Sequence, residues 1–544
     1  MDLILNLGRR QTSYSLDRSL PTELICWVFA YLSCDELVVC RQLCKSLKHI
    51  VDTTVTLQYT MQLHLTGMAD NPNHPLSTVD KLALLRKYHD QWYSLPTHLQ
   101  HVELFTRSFD IQHMANQHVI RGTLGMGPSL DSEFKFAQLP SRIRGIPLKS
   151  WILRLPEHTR IFTFDPEQDV LIILKMPSAP GERPYISILE LSTGKDHPLA
   201  VHPSLHFPGE LEYPETQLVK MRINGTYLCA AYDGVDFFGI WNWRSGRCAS
   251  MEVQTTSFAW VGPTTVLLAV PGSTADEPGH SLPHLDLVDL SDLERGPRRW
   301  KFHLPRMLSK RSSFASETFC FSLDAELPPF RRPTSDPPFY SAEGDSLIVL
   351  IGYNDCFRMF CLLSRLFEVA QRMACLAGVE PKDHIPPLSI PWALWGPAHT
   401  HIYHEEYLQR YNLYGTRYVT YLSDTSELVV LDFNRRRAKH KMQECSDKEV
   451  KGTTTVCPFD DSYWGTIAEE VGASQEEKCD LLHIECFEPD GWQKPIFTKT
   501  VLPFNLSPDA EMPMLSEDAI YVSTVSPPEL GVELDIVIFD ARTL

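Results

Sequence analysis

Residues 20–50, LPTELICWVFAYLSCDELVVCRQLCKSLKHI, place two short amphipathic helices within about thirty residues, too few to build a core of their own. In the first predicted helix Leu24, Ile25, Val28, Phe29 and Leu32 recur at the spacing of one helical face. Pro21 suits its first position, where a missing N–H costs nothing. Ser33 and Glu36 form an S-x-x-E capping box, which stops one helix and starts the next within a turn. In the second predicted helix Leu37, Cys40, Leu43, Cys44, Leu47 and Ile50 share one face. Both apolar stripes need a cover from outside the pair, and the pattern points to a partner chain.

The spacing of these residues resembles the F-box, the adaptor-binding module of SCF ubiquitin ligases. The family's opening Leu-Pro is Leu20-Pro21, its Glu-Leu is Glu23-Leu24 and its Ile-Phe is Val28-Phe29; the later Asp-Leu is Glu36-Leu37 and the Val-Cys is Leu43-Cys44. Glu36 replaces the usual Asp and keeps its charge, and Leu47 stands where a Trp is common and keeps an apolar side chain. The resemblance implies a docking face for a Skp adaptor, and through it a cullin scaffold. That face is expected on Leu20, Pro21, Leu24, Ile25, Val28, Phe29, Leu32, Leu37, Cys40, Leu43, Cys44 and Leu47.

The next stretch, TTVTLQYTMQLHLTG, alternates apolar and polar residues from Val55 to Leu65, which by itself is a strand pattern. The resemblance implies a helix there, stopped by Gly67. After NPNHP at 71–75, Ser77 and Asp80 start another helix, with Val79, Leu82, Leu85, Tyr88 and Trp92 on one face. Residues 16–95 as a whole look like the N-terminal region of fungal F-box proteins.

From about residue 100 the chain turns to short alternating strands broken by Gly, Pro, Asn and Asp. A strand ending in a polar or Gly-containing turn recurs as ILELSTGK at 188, IWNWRSGR at 240, LVDLSDL at 287, MFCLLSR at 359, VLDFNRR at 430, IECFEPDG at 484 and IVIFDART at 536. The intervals are 52, 47, 72, 71, 54 and 52 residues. Propeller blades take roughly 40–50 residues plus insertions, and the long intervals hold loop material at 271–283, 327–339 and 378–391. Some of the units resemble degenerate WD repeats, without the Gly-His…Trp-Asp signature. The expected fold class is α+β multidomain, an N-terminal helical F-box lobe followed by a large all-β domain, a β-propeller with seven blades favoured. Strand material from about 102–124 closes the ring. The expected boundaries are an N-terminal tail at 1–15, the F-box at 16–60, a helical linker at 61–98 and the propeller at 99–544.

Charge and cysteine usage narrow the partners. The chain has 50 basic and 68 acidic residues; residues 1–95 hold nine of each, so the net charge of −18 resides in residues 96–544. An acidic domain disfavours nucleic acid and anionic membrane as partners. No apolar run is long enough for a transmembrane helix, and the N-terminus lacks the apolar core of a signal peptide. The fourteen scattered cysteines, many in apolar runs, fit reduced thiols in a cytoplasmic or nuclear protein.

Catalytic signals are few. His401-x-x-His404-Glu405 lacks a helix and a third ligand, and Cys40 and Cys44 lie on an apolar helical face; no metal site and no cofactor are expected. Residues 295–311, RGPRRWKFHLPRMLSKR, carry seven basic and no acidic side chains. A strand there would bury Trp300 and Phe302 and present Arg298, Arg299 and Lys301, a speculative site for an acidic or phosphorylated segment of a substrate. The alternative is an ordinary solvated face. Asn434 to Lys439 is similar to a nuclear-localisation patch but follows a strand directly, as a hairpin turn does. The function these features imply is a non-catalytic substrate receptor of an SCF-type ubiquitin ligase, presenting a protein substrate on the propeller. A ligase-independent scaffold and a propeller hydrolase are the competing readings.

Overall fold

The computed structural model describes residues 20–93 and 98–538, apart from 106–116, 121, 128–132, 142–145, 156–160, 176–182, 208–218, 233–234, 272–282, 292–296, 305–320, 325–336, 342–345, 353–357, 377–386, 404–411, 423–426, 435, 439–453, 458–496, 506–509, 516–519 and 526–531. The described chain divides into a helical unit, residues 20–93 with 337–340, and a β unit made of the rest.

The helical unit begins with α1 (Thr22–Phe29), α2 (Cys34–Leu43) and α3 (Lys45–Thr53). The second predicted helix is thus two helices. Cys44 breaks it with an extended backbone (φ −157°, ψ 164°), and its Sγ accepts the Leu47 N–H at 3.5 Å to start α3. Arg41 on α2 grips Asp52 on α3 with Nε and Nη2 (2.6 and 3.3 Å), which braces the break. That hydrogen bond holds the Asp52 carboxyl below its ordinary range. α4 (Val55–Thr66) is a helix despite its alternating sequence, and it stops at Gly67 in the left-handed region (φ 71°) that glycine adopts freely. A strand at Met68–Asp70 and α5 (Thr78–Tyr93) follow, the latter started by Ser77 Oγ accepting from the Asp80 N–H.

Among its described residues the β unit holds seven sheets of more than two strands, antiparallel apart from one parallel strand pair. The first five start from strands Gln117–Ile120, Phe162–Asp165, Val219–Asn224, Ser257–Trp260 and Phe321–Asp324; the sixth starts from Asn412–Tyr414 and the seventh from Ala510–Leu515. Five of these sheets have four strands and two have five. The seventh is completed by His98–Phe105, which pairs antiparallel with Val532–Ile538. The segment just before the first sheet therefore closes the last one, as the ring of a propeller requires. Separate apolar cores fill the spaces between the first and second sheets and between each next pair as far as the fifth and sixth. Middle strands are consequently buried on both faces. In Val170–Lys175 the even-numbered residues Val170, Ile172 and Leu174 pack toward the third sheet, and Leu171 and Ile173 toward the first. This unit is a β-propeller.

One backbone contact repeats from blade to blade. The residue just after the third strand donates its N–H to the carbonyl just before the second: Leu139 to Gly122, Leu191 to Asp169, Trp243 to Thr226, Leu290 to Thr264, Leu363 to Ser346 and Phe433 to Thr416, at 2.7–3.0 Å. All six donors carry apolar side chains that are at most 4% exposed. Six of the seven recurrent sequence units start on third strands; the unit at 484 lies outside the described residues. The third strand of the first sheet, Glu133–Gln138, was not among the units, because it leaves through Leu139-Pro140 rather than a polar turn.

The long interval between the units at 359 and 430 holds more than loop. The third strand of the fifth sheet, Arg358–Leu362, runs straight into α6 (Leu363–Leu376) instead of a polar turn. Residues Leu388–Ile390, expected as loop, form the fifth strand of the fourth sheet, parallel to Trp300–Phe302. Then α7 (Trp392–His399) leads back to the fifth sheet at Thr400–Tyr403. Leu366 and Val369 of α6 and Trp395 of α7 fill the core between the two sheets, and Trp395 Nε1 donates to His303 O at 3.0 Å.

The sixth sheet ends its third strand at Asp432. Burial pushes this carboxyl up, but the Arg437 and Arg417 guanidiniums, the Asn434 N–H and the Thr416 hydroxyl outweigh that and hold it below the ordinary 3.8. Its contribution to stability is full above 3.8 and is lost as pH falls through the lower folded value. Asp432→Asn removes the carboxylate that both buried guanidiniums engage and is expected to cost about 3–5 kcal/mol in denaturant unfolding at pH 7. The difference from wild type should shrink as the pH falls below 3.8.

Candidate functional site

α1 is apolar on two neighbouring faces. Ile25 (1% exposed) and Phe29 (5%) enter a core with Leu37, Leu47, Ile50, Val51 and Leu57. Leu24, Trp27, Val28 and Tyr31, spaced i, i+3, i+4, i+7, form a second stripe that stays exposed at 48, 71, 52 and 83%. Tyr31 extends the stripe beyond the helix end, its N–H bonded to Val28 O at 3.1 Å. Leu20 and Pro21, which lead into α1, are exposed as well.

α2 divides in the same way. Cys34 and Leu37 are buried, Cys40 and Leu32 are half-buried against the same core, and Val39 and Leu43 on the opposite side are exposed. The expected capping box is present: Ser33 Oγ accepts from the Glu36 N–H at 3.3 Å and Glu36 Oε2 accepts from the Ser33 N–H at 2.7 Å. The Ser33 backbone N–H, then its hydroxyl, lower the Glu36 carboxyl from its ordinary value.

The structure thus splits the expected face. Leu20, Pro21, Leu24, Val28, Leu43 and Cys44 are exposed, whereas Ile25, Phe29, Leu37 and Leu47 are core of the helical unit. The break at Cys44 explains the fate of the second stripe, because residues before and after it lie on different helices. Trp27, Tyr31 and Val39 were missed. Their signal is the helical spacing of Leu24-Trp27-Val28-Tyr31, which overlaps the stripe through Leu24, Ile25, Val28 and Phe29.

The basic segment does not present its cations together. Arg299 pairs with Asp286, whose side chain is fully buried, through Nε at 3.0 Å and through Nη2. Strand alternation places Arg298 on the face opposite Arg299 and Lys301. Phe302 is buried as expected, and the edge of this strand is covered by Leu388–Ile390. In the group Arg298, Arg299 and Lys301 a local carboxylate engages the central guanidinium. In the second basic segment Arg437 is likewise taken up by Asp432 at 2.7 Å. Among the described residues no cluster of His, Cys, Asp and Glu could hold a metal ion, and no helix is long and apolar enough to cross a membrane. Burial pushes the Cys361 thiol up to about 12.

The F-box-like family model matches residues 17–61, the span of α1 to α3 and the first half of α4. Residues 17–61 are an F-box-like domain. Curated protein sequences give no match to the chain. Solved structures similar to it include the β-propeller domain of Cps50 (Swd1) from Myceliophteria thermophila, 8% identical with a TM-score of 0.37, covering 81% of this chain and 98% of that one. Kluyveromyces lactis Hsv2 is 7% identical with a TM-score of 0.33, covering 76% and 94%. Likeness at this level says nothing of partners or activity.

The two faces of α1 should respond differently to truncation. Ile25→Ala and Phe29→Ala should each cost the helical unit about 2–5 kcal/mol in denaturant unfolding. Trp27→Ala and Tyr31→Ala should leave its stability within about 0.5 kcal/mol of wild type.

Proposed function

We propose that the chain is the substrate receptor of an SCF-type ubiquitin ligase, docking on a Skp adaptor through the exposed face of α1. The exposed stripe Leu24, Trp27, Val28 and Tyr31, within the segment that matches the F-box-like family, carries this reading. Covering a side chain of this kind stabilises a complex by about 1.5–3 kcal/mol. Four of them, with Leu20 and Pro21 beside them, supply several kcal/mol toward the cost of association. Val39 and Leu43 on α2 extend the apolar supply.

The F-box contributes no chemistry in this role. Its work is positional: the adaptor joins it to a cullin scaffold, and the propeller holds a protein substrate so that a lysine sits near a ubiquitin thioester at high effective concentration. A propeller suits the task because its blades present many loops on one rigid frame.

The double variant Pro21→Ala/Leu24→Lys tests the docking face. Burying an unpaired lysine ammonium in an apolar interface costs several kcal/mol, about a thousandfold in affinity. Recovery of both adaptor and cullin from cell extract should therefore fall to background, with the circular dichroism spectrum unchanged. Wild-type recovery of both would refute the docking assignment. Loss of cullin alone in the wild-type chain would favour an adaptor-bound scaffold outside a ligase.

A further inference from the structure

The connection between the first two strands of the fifth sheet leaves Asp324 and returns at Leu347, yet its residues 337–340 pack as part of the helical unit. Phe339–Ser341 pairs with Met68–Asp70 in a two-stranded sheet. Asn71, 2% exposed, meets the two prolines ahead of that strand: Nδ2 donates to Pro337 O at 2.9 Å and its backbone N–H to Pro338 O at 3.1 Å. Prolines accept but cannot donate, and Asn71 presents both of these carbonyls with donors. The Phe339 ring is fully buried, 6.1 Å from the ring of buried Tyr88 on α5.

The seat is held rigid by a charge that is expensive to bury alone. Lys81 on α5 is 5% exposed, and its Nζ donates to Asp70 Oδ1 at 2.8 Å and to Asn71 O at 2.6 Å. The Tyr59 hydroxyl on α4 donates to the same Asp70 oxygen at 2.8 Å. A buried ammonium needs such partners, so α4, α5 and the strand between them are fixed relative to Asn71.

We propose that residues 337–340 are an intramolecular strap, a Pro-Pro-Phe-Tyr segment of the propeller's own chain seated in a preformed groove of the F-box-bearing unit. The strap stands whether or not the chain serves a ligase.

Hydrogen exchange on the full-length chain reads the strap directly. Phe339→Ala should speed exchange at residues 68–71 at least tenfold and leave α1 to α3, which share no core with Phe339, unchanged. Asn71→Ala, which removes the side-chain hydrogen bonds to Pro337 O and from the Asn73 N–H, should give the same local pattern at smaller amplitude, and Phe339→Leu should restore most of the protection. Exchange at 68–71 that stays within twofold of wild type in Phe339→Ala would overturn the proposal. So would an acceleration spread equally over α1 to α3, which marks general unfolding of the unit.

Discussion

A helix of eight residues that is apolar on two neighbouring faces cannot bury both inside a unit of this size. α1 spends Ile25 and Phe29 on the core it shares with α3 and α4, and Leu24, Trp27, Val28 and Tyr31 remain in water. Exposed apolar area of this kind, arranged along one helix, is what the proposed adaptor docking rests on. The arrangement of the neighbouring helices follows from the same limit. Cys44 turns the chain so that Leu47, Ile50 and Val51 complete the core under α1, at the cost of leaving Leu43 outside.

The propeller solves a different problem, that of stacking sheets whose middle strands are apolar on both faces. Six of the sheets secure the residue after the third strand by one backbone hydrogen bond to the turn between the first two strands, and bury that residue's side chain. The contact tolerates Leu, Trp and Phe, because it reads the backbone and asks of the side chain only that it be apolar. Variation of side chain around a fixed backbone contact is one way a blade repeat persists without a WD signature. Between the fourth and fifth sheets the inserted helices and the strand at Leu388–Ile390 add a second link to the ordinary face-to-face packing.

Much of this was legible in the sequence where one period or one cap dominated. The capping box at Ser33 and Glu36, the stop at Gly67 and the third strands at 188, 240, 287 and 430 are local signals, and local hydrogen bonds produce them. α4 was legible only through its resemblance to a family, because Val55 to Leu65 alternates as a strand does while tertiary burial selects Leu57 and Tyr59. The division of α1 into a core face and a free face was not legible, since both faces are apolar and the choice between them is made by α3 and α4. The strap and the strand at 388–390 pair residues far apart in the chain, and no local pattern encodes such pairings. The partner of Arg299 was not legible for a related reason: the carboxylate that engages it lies on the neighbouring strand, thirteen residues earlier.

Hydroxyl-radical footprinting of the full-length chain, alone and with purified Skp adaptor, tests the two-faced helix most directly. Trp27 and Tyr31 should be oxidised readily in the free chain and become severalfold less reactive with the adaptor bound. Trp241, Trp243 and Trp395, buried between blades, should stay unreactive in both states. A Trp27 already shielded in the free chain, or one that reacts equally with and without adaptor, would contradict the assignment of this face as the docking surface.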